Sequence, residues 1–326
     1  MRRREFVMLS ATVAWPFAAR AQQAKKTWRI GFLGDGLRDQ RRAISVEPFL
    51  DGLRELGYSV GGNVLIEERW TQSDNNRLAP LATELVSFKV DVIVTHGIPA
   101  VMATRAATQT IPIVVAVAPD LVATGLVASL ARPGGNVTGL TDQTNDFAEK
   151  EIQVLRDALP RLRRVSILWN KANPGASLNF QAMRRAVEKA GLEIAAVNIA
   201  SPQEIESGIA QAAQDRPDGL VVIHDTLTVS YRLQVAAAAL KHGLPSICAS
   251  SPFVEAGGLI AYAPNLPSLF KRAATFVDRI LQGAKPADIP IEQPTRFELR
   301  INLKTAKALG IIIPPTLLAW ADEVIE

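Results

Sequence analysis

The sequence predicts an α/β protein with two doubly wound parallel-sheet lobes that are joined by a multi-strand hinge. Short β-branched strands without polar alternation, which suit parallel strands covered on both faces, alternate with amphipathic helices. This order of strands, turns and helices occurs twice along the chain. The chain has 326 residues, of which 48% are hydrophobic and 21% are charged. Such a length and composition are typical of a globular protein with two domains of ordinary size.

Residues 1–21 predict a signal peptide. A basic start precedes an apolar run from Phe6 to Ala19, and Ala19-Arg20-Ala21 is a small-x-small cleavage site. The run is short for a membrane span, so we expect cleavage after Ala21 and a soluble periplasmic protein. Arg3-Arg4-Glu5-Phe6 fits the twin-arginine route, and the general secretory route stays open. No cysteine lies near the cut, which excludes a lipid anchor there.

The first half of the mature chain is predicted to begin with the strand Trp28–Leu33 and the glycine-bearing turn Gly34-Asp35-Gly36. The helix that follows ends at Glu55-Leu56-Gly57-Tyr58, because glycine accepts the left-handed conformation of a helix C-terminus without penalty. The other predicted elements of this half are the strand Val64–Glu68, the helix Asn75–Phe88 and the strand Val90–Val94.

The second half is predicted to repeat this order. The strand Arg164–Trp169 leads into the polar turn Asn170–Gly175. The next helix ends at Lys189-Ala190-Gly191-Leu192, where a glycine again stands at the helix C-terminus, as in the first half. Two such units, each of ordinary domain size, predict two similar lobes. The other predicted elements are the strand Glu193–Ile199, the helix Pro202–Gln214 and the strand Asp218–Ile223.

The segment Ala131–Gly139 (ARPGGNVTG) stands between the two halves. Gly134 and Gly139 have the G-x-x-x-x-G spacing of a phosphate-binding loop, but Leu140 occupies the place where that loop needs a lysine. Proline, glycine and asparagine together are typical of a tight turn. We therefore predict a turn that feeds a crossing from one lobe to the other.

The C-terminal part is predicted to pass between the lobes again. Near Gly257–Pro264 the chain returns to the first lobe, where the helix Leu266–Gln282 presents an apolar face. The connector Pro286–Pro294 leads to Phe297–Leu303 and a helix from Leu303 to Leu309, a last excursion between the lobes. Several crossings make a hinge, and the cleft between the lobes opens and closes. The predicted lobes are residues 27–140 with about 265–292, and residues 141–264 with about 293–326.

The fold predicts where a ligand binds, because open α/β sheets bind ligands beyond the carboxyl ends of their strands. Hydroxyl and amide groups at Thr95–Gly97 suit a carboxylate, an aspartate accepts from an ammonium group, and Tyr262 can stack on a flat ligand. The alternative is that many of these polar residues only cap helices. The ligand-binding candidates are Asp35, Gly36, Thr95, His96, Gly97, Pro119, Asp120, Asn170, Asn173, His224, Asp225, Thr226, Ser251 and Tyr262.

The motifs predict a binding protein that has no catalytic residues, metal or cofactor. The sequence contains no G-x-S-x-G, H-E-x-x-H or C-x-x-C motif. Gly34-Asp35-Gly36 begins like a dinucleotide-binding fingerprint, but Asp39 replaces its third glycine. His96 and His224 occupy equivalent places in the two halves and could meet at a divalent metal, although no H-x-x-H or cysteine cluster supports this. A secreted enzyme with either histidine as general base stays open as an alternative.

The charge distribution does not favour nucleic acid as a partner. The formal net charge is +4, but the leader holds four arginines and one glutamate, so that 36 − 4 = 32 basic and 32 − 1 = 31 acidic residues remain after its removal. We find no basic patch with interleaved aromatic residues. Cys248 is the single cysteine, so no intrachain disulfide can form. We also expect the protein to be a monomer.

Five segments carry a resemblance to a known family. They are VDVIV (Val90–Val94), GLVASLARPGGNVTGL (Gly125–Leu140), GGLIAYAPNLPSLF (Gly257–Phe270), FELRINLKTAKALGI (Phe297–Ile311) and IPPTLLAWADEVIE (Ile313–Glu326). Through them nearly all of the mature chain resembles the ABC-transporter substrate-binding protein family, which includes tryptophan- and phenylalanine-binding members. The resemblance implies a type I periplasmic-binding-protein fold, capture of a small-molecule ligand between the lobes, and delivery to a membrane permease.

The sequence departs from the family pattern in the predicted ligand loops. It has Gly34-Asp35-Gly36 where members generally read S-x-G, Ala118-Pro119-Asp120 where they read G-D-P, and Thr95-His96 where many have a small residue. The expected ligand is therefore a small metabolite, for which the resemblance implies an aromatic or another amino acid. A ligand-sensing receptor subunit is the alternative function.

Overall fold

The structure is a computed structural model that describes residues 26–141 and 145–326. The predicted signal peptide lies outside these residues. In the part of the chain that the structure describes, no helix is both long enough and apolar enough to cross a membrane.

The first sheet has five parallel strands, and every residue of its third and fourth strands is buried. This burial explains why the strands lack polar alternation, since helices cover both faces of the sheet. In chain order the strands are β1 (Trp28–Gly34), β2 (Val64–Trp70), β3 (Val92–Thr95), β4 (Ile113–Val115) and β5 (Val137–Gly139). Across the sheet their order is β2-β1-β3-β4-β5.

Alternate side chains of β1 point to opposite faces of this sheet. Phe32 packs against Phe49 and Phe270 with ring centroids 6.2 and 6.3 Å apart, whereas Leu33 packs with Leu85 on the other face. Each face therefore has its own apolar core. The helices that lie between the strands are α1 (Arg38–Arg41), α2 (Val46–Glu55), α3 (Leu78–Ser87) and α4 (Ile98–Ala107).

The second sheet has seven strands. They are β6 (Arg164–Trp169), β7 (Glu193–Asn198), β8 (Gly219–Val222), β9 (Ser246–Cys248), β10 (Ile260–Pro264), β11 (Phe297–Asn302) and β12 (Glu323–Ile325). Across the sheet their order is β12-β11-β10-β9-β8-β6-β7, and each neighbouring pair is parallel except β10 with β11. The helices of this part are α5 (Asn145–Ala158), α6 (Pro174–Lys189), α7 (Ile205–Gln214), α8 (Thr226–Ser230), α9 (Arg232–Lys241) and α10 (Ser251–Glu255).

The chain passes between the two sheets three times. It leaves the first sheet after β5, returns after β10 through α11 (Leu266–Leu281), and leaves again between Ile291 and β11. We call the body around the first sheet, with α11, lobe 1, and the body around the second sheet lobe 2. The fold class predicted from the sequence, two parallel-sheet α/β lobes, is confirmed.

Two local predictions differ from the structure. The return to lobe 1 follows Pro264, because the residues before it form β10 in the second sheet. The predicted last excursion between the lobes stays in lobe 2, where Leu299, Ile301 and Ala306 join the apolar core. The remaining elements are α12 (Leu303–Ala308) and α13 (Pro315–Leu318).

The ARPGGNVTG segment is a turn followed by the edge strand of the first sheet, and the crossing begins beyond it. Gly134 has a positive φ of 78° in the turn. Gly139 ends β5 with a φ of 130°, and a Cβ atom there would lie 2.1 Å from the carbonyl oxygen of Val115 on β4. Close approach of two backbones therefore requires this glycine, independently of any phosphate.

We expect Gly139→Ala to lower the free energy of unfolding by about 2 kcal/mol or more, since the methyl group meets backbone and φ is strained. Urea denaturation would measure this. Gly135→Ala is the matched control, because no atom lies within 4 Å of its added Cβ. Equal stability of the two variants would contradict the assignment.

Candidate functional site

Two adjoining cavities lie in the cleft between the lobes, beyond the carboxyl ends of the strands. His224, after β8, and Leu266, at the start of α11, line both cavities. The cavity that we call the polar cavity is lined by groups that include Arg41, His96, Asn173, Asp225 and Thr226. The cavity that we call the aromatic cavity is lined by groups that include Phe147, Glu151, Met183 and Phe297.

Lobe 1 places a buried cation, Arg41, in the wall of the polar cavity and a buried acid, Asp35, beside it. The Asp35 side chain follows β1, is 1% exposed, and accepts a hydrogen bond from Thr71 Oγ1 at 3.0 Å through Oδ1. Arg41, on α1, is 3% exposed. Among the described residues, Asp35 Oδ2 and the Nε and Nη1 atoms of Arg41 have no hydrogen-bond partner. An acceptor and a donor group are thus available in the cleft.

Asp35 and Arg41 each oppose the pKa shift that burial causes in the other. Burial raises the pKa of Asp35, whereas the Arg41 guanidinium and the Thr226 hydroxyl oppose that rise. Burial lowers the pKa of Arg41 to about 10, against the opposing effect of Asp35 and Asp225. Arg41 is therefore still a cation at neutral pH, and it suits an anionic group of a ligand.

Lobe 2 contributes Asp225, which combines a capping role with a place in the polar cavity. Its Oδ1 accepts from the backbone amide of Leu227 at 2.7 Å, as the N-cap of α8, and from Asn170 Nδ2 at 3.2 Å. Its Oδ2 accepts from Asn173 Nδ2, and Asn173 itself caps α6 through the amide of Gly175 at 2.9 Å. The capping and ligand-binding interpretations are therefore compatible here.

The two candidate histidines both line the polar cavity and are uncharged at neutral pH. Burial, Arg41 and the other histidine lower the pKa of His96 far below its ordinary value, and its Nε2 accepts from the Asp35 amide at 3.4 Å. Burial and Arg41 lower the pKa of His224 to about 4. Within residues 26–141 and 145–326, no group of three or more His, Cys, Asp or Glu side chains is arranged to hold a metal ion.

The lobes touch each other across this cleft. A Cβ atom on Gly36 of lobe 1 would lie 2.5 Å from Ser230 Oγ of lobe 2. A Cβ atom on Gly175 of lobe 2 would lie 3.0 Å from Pro119 Cγ of lobe 1. Both glycines thus permit close approach, and the cleft is closed in this structure.

Some of the ligand-binding candidates from the sequence form hydrogen bonds within their own lobe instead of lining the cavities. Thr95 Oγ1 donates to the carbonyl oxygen of Leu33 at 3.0 Å, within the first sheet. Asp120 Oδ1 accepts from the amide of Ala123 at 2.9 Å within a turn, where no helix begins. Both lie outside the two cavities. Ser251 begins α10, and its buried hydroxyl has no hydrogen-bond partner among the described residues.

The aromatic cavity is backed by three stacked rings. Phe147 of α5 lies 5.6 Å from Tyr262 and 5.3 Å from Phe297, measured between ring centroids, with interplanar angles of 8° and 29°. Phe147 and Phe297 line the cavity, and Tyr262 supports them from β10. Tyr262 therefore stacks on protein rings in this structure, whereas the sequence predicted that it stacks on the ligand.

Sequence reasoning missed two residues of the site, Arg41 and Glu151. Glu151, on α5, is 3% exposed and lines the aromatic cavity. In the described part of the chain its Oε1 atom finds no hydrogen-bond partner, and burial raises its pKa to about 8. An acid that is protonated at neutral pH therefore faces the apolar end of the cleft.

Comparisons with known proteins agree with this geometry. Residues 38–325 match the family described as ABC transporter substrate binding protein. A tyrosine-binding protein of Clostridioides difficile strain R20291 is 28% identical over 263 residues, which cover 81% of this chain and 75% of that protein.

Two solved structures differ in whether a ligand is bound. An ABC domain from Streptococcus pneumonia in complex with L-Trp has a TM-score of 0.86 and 27% identity, and the match covers 92% of this chain and 100% of that chain. The ligand-free, open structure of a Clostridium difficile substrate binding protein with adhesive properties has a TM-score of 0.67 and 26% identity, with coverage of 92% and 99%. At nearly equal identity and coverage, the lower TM-score with the structure described as open agrees with the closed cleft that the contacts of Gly36 and Gly175 indicate.

Proposed function

Because this chain belongs to the ABC transporter substrate-binding protein family, we propose that it captures a free aromatic amino acid between its lobes and presents it to a membrane permease. The protein acts outside the cytoplasm, after export through the predicted signal peptide. The family is defined by substrate binding, so the proposal contains no catalytic step.

The observation that carries the proposal is a set of unpaired, buried polar atoms of opposite charge on Arg41, which lines the polar cavity, and on Asp35, which lies beside Arg41. Asp35 Oδ2 and the Nε and Nη1 atoms of Arg41 have no hydrogen-bond partner among the described residues. A buried polar group without a partner costs about 1–3 kcal/mol, so a ligand that pairs with these atoms gains affinity. An α-amino acid supplies both partners: its carboxylate suits Arg41, and its ammonium group suits Asp35 and Asp225.

The aromatic cavity supports an aromatic side chain on the ligand. Phe147 and Phe297 present ring surfaces to it, and Met183 adds a polarisable thioether. One relative is a tyrosine-binding protein, and one similar structure holds L-Trp. A ligand with its charged α-groups in the polar cavity would direct its ring toward these residues.

Capture follows from a shift between open and closed forms. Lobe 1 contributes Arg41, with Asp35 beside it, and lobe 2 contributes Asp225 and the aromatic rings, so a ligand makes both sets of contacts only when the lobes close. The ligand favours closure by that difference in affinity. The permease then recognises the closed form.

The test is a titration of the purified mature chain with the twenty amino acids, using calorimetry and thermal unfolding. We expect one or more aromatic amino acids to bind and to raise the melting temperature, while aliphatic and charged amino acids bind more weakly. Failure of every amino acid to bind, or consumption of the ligand during the titration, would contradict the proposal. Uptake of the identified amino acid should fall in cells that lack this chain, and unchanged uptake would exclude the transport role.

A further inference from the structure

We propose that Glu151 is a specificity-determining residue that accepts a hydrogen bond from an N–H or O–H group on the ring of the ligand. The site then prefers aromatic amino acids whose ring carries a donor, such as an indole or a phenol, over those with a plain phenyl ring. This inference rests on the proposed function and names the ligand class more closely.

The position of Glu151 is the first reason. Its side chain lines the aromatic cavity with Phe147 and Phe297, whereas Arg41 and Asp225 line the adjoining polar cavity. It is 3% exposed, and Oε1 has no hydrogen-bond partner within the described residues. A ring held in this cavity would bring its edge toward an unpaired acceptor.

A structural role does not account for this acid. Glu149, two residues earlier on α5, is exposed and forms an ion pair with Lys189 at 2.7 Å. Glu151 forms no ion pair within residues 26–141 and 145–326, and no capping role is available in the middle of the helix. A leucine at this position would avoid the cost of an unpaired buried carboxyl group, so selection by a ligand is the better explanation.

The protonation state of Glu151 indicates which donor it suits. Its pKa of about 8 follows from burial alone, so the group is a neutral acid at pH 7. The nearby titratable groups do not change this: His224 is neutral, with a pKa of about 4, and burial raises the pKa of Cys248 well above its ordinary value. The carbonyl oxygen of a neutral acid matches a neutral donor, whereas a cationic side chain would require the ionised form.

The experiment compares the wild type with Glu151→Gln and Glu151→Leu, and uses Glu149→Gln as an exposed control on the same helix. Calorimetry gives dissociation constants for tryptophan, tyrosine and phenylalanine. We expect the wild type to bind at least one ring-donor ligand about tenfold or more tightly than phenylalanine. Glu151→Leu should remove this preference, while Glu151→Gln, whose amide oxygen also accepts, should retain it within about threefold.

The outcomes separate this inference from the proposed function. If phenylalanine binds as tightly as the ring-donor ligands in the wild type, Glu151 has no such role, although the amino-acid site stands. Equal losses for all three ligands in Glu151→Leu would also overturn it, since they indicate a structural effect. If none of the three ligands binds the wild type, the proposed function fails first.

Discussion

Replacing Arg41 by alanine is expected to weaken amino-acid binding about a hundredfold or more, which corresponds to about 2.7 kcal/mol. Arg41 is a buried cation in the cleft, and its Nε and Nη1 atoms have no hydrogen-bond partner among the described residues. Loss of the guanidinium would leave the ligand carboxylate buried opposite Asp35 and Asp225 without a counter-charge. Truncation of one partner of a buried ion pair is strongly unfavourable for this reason.

Calorimetric titration of three variants measures this effect. Arg41→Lys keeps the charge without the bidentate fork, so its affinity should lie between those of the wild type and Arg41→Ala. Arg38→Ala is the matched control on the same helix, because the Arg38 side chain is 45% exposed and pairs with Glu68 at the surface. Melting temperatures without ligand identify any loss of folding. Binding by Arg41→Ala within threefold of the control would exclude Arg41 from the site.

Without ligand, Glu151→Gln is expected to be more stable than the wild type above pH 7. The difference in the free energy of unfolding should grow with pH. The ordinary pKa of a glutamate is 4.5, and burial raises that of Glu151 to about 8 in the folded state. Between these values the folded protein holds a proton that the unfolded chain releases. The free energy of unfolding therefore falls as pH rises from 4.5 to about 8, by at most about 5 kcal/mol in total.

Urea denaturation at several pH values between 6.5 and 9 tests this sign and size. The lowered pKa values of His96 and His224 reduce stability as the pH falls through about 6.5, but they do so equally in both proteins and cancel in the comparison. The difference between Glu151→Gln and the wild type should increase up to about pH 8 and then level off. A difference that is independent of pH would show that Glu151 has an ordinary pKa.

The fold could be predicted from the sequence because its main signals are local. Val90–Val94 and Arg164–Trp169 are short, β-branched and bounded by turns; the first overlaps β3 and the second coincides with β6. The antiparallel pairing of β10 with β11 could not be predicted in this way. Its direction depends on the route of the chain through lobe 1 and back, which no local pattern encodes.

The site could be predicted only where it lies directly after strands. His96, His224 and Asp225 follow β3 and β8 and line the polar cavity, as the strand-end rule indicates. Arg41 lies in a short, strongly charged segment, where a solvated helix is the simplest interpretation. Its burial depends on tertiary packing, with Asp35 of its own lobe and Asp225 of the opposite lobe nearby, so no local sequence pattern predicts it.

Glu151 did leave a signal in the sequence. Ala148, Ile152 and Leu155 recur at the spacing of one buried helical face, and Glu151 lies on that face between them. An acid within an apolar stripe is a candidate for a functional role, because charged groups are rarely buried without a partner. Because the charged residues Glu149 and Lys150 precede it, the segment also resembles a solvent-exposed helix, and the pattern is easily overlooked.

A crystal structure of the mature chain with its preferred amino acid tests the central claim most directly. We predict one ligand between the closed lobes, with its carboxylate at hydrogen-bond distance from Arg41 and its ammonium group near Asp35 or Asp225. Its ring would lie in the aromatic cavity between Phe147 and Met183. A ligand that contacts only one lobe, or that binds outside the cleft, would contradict the account.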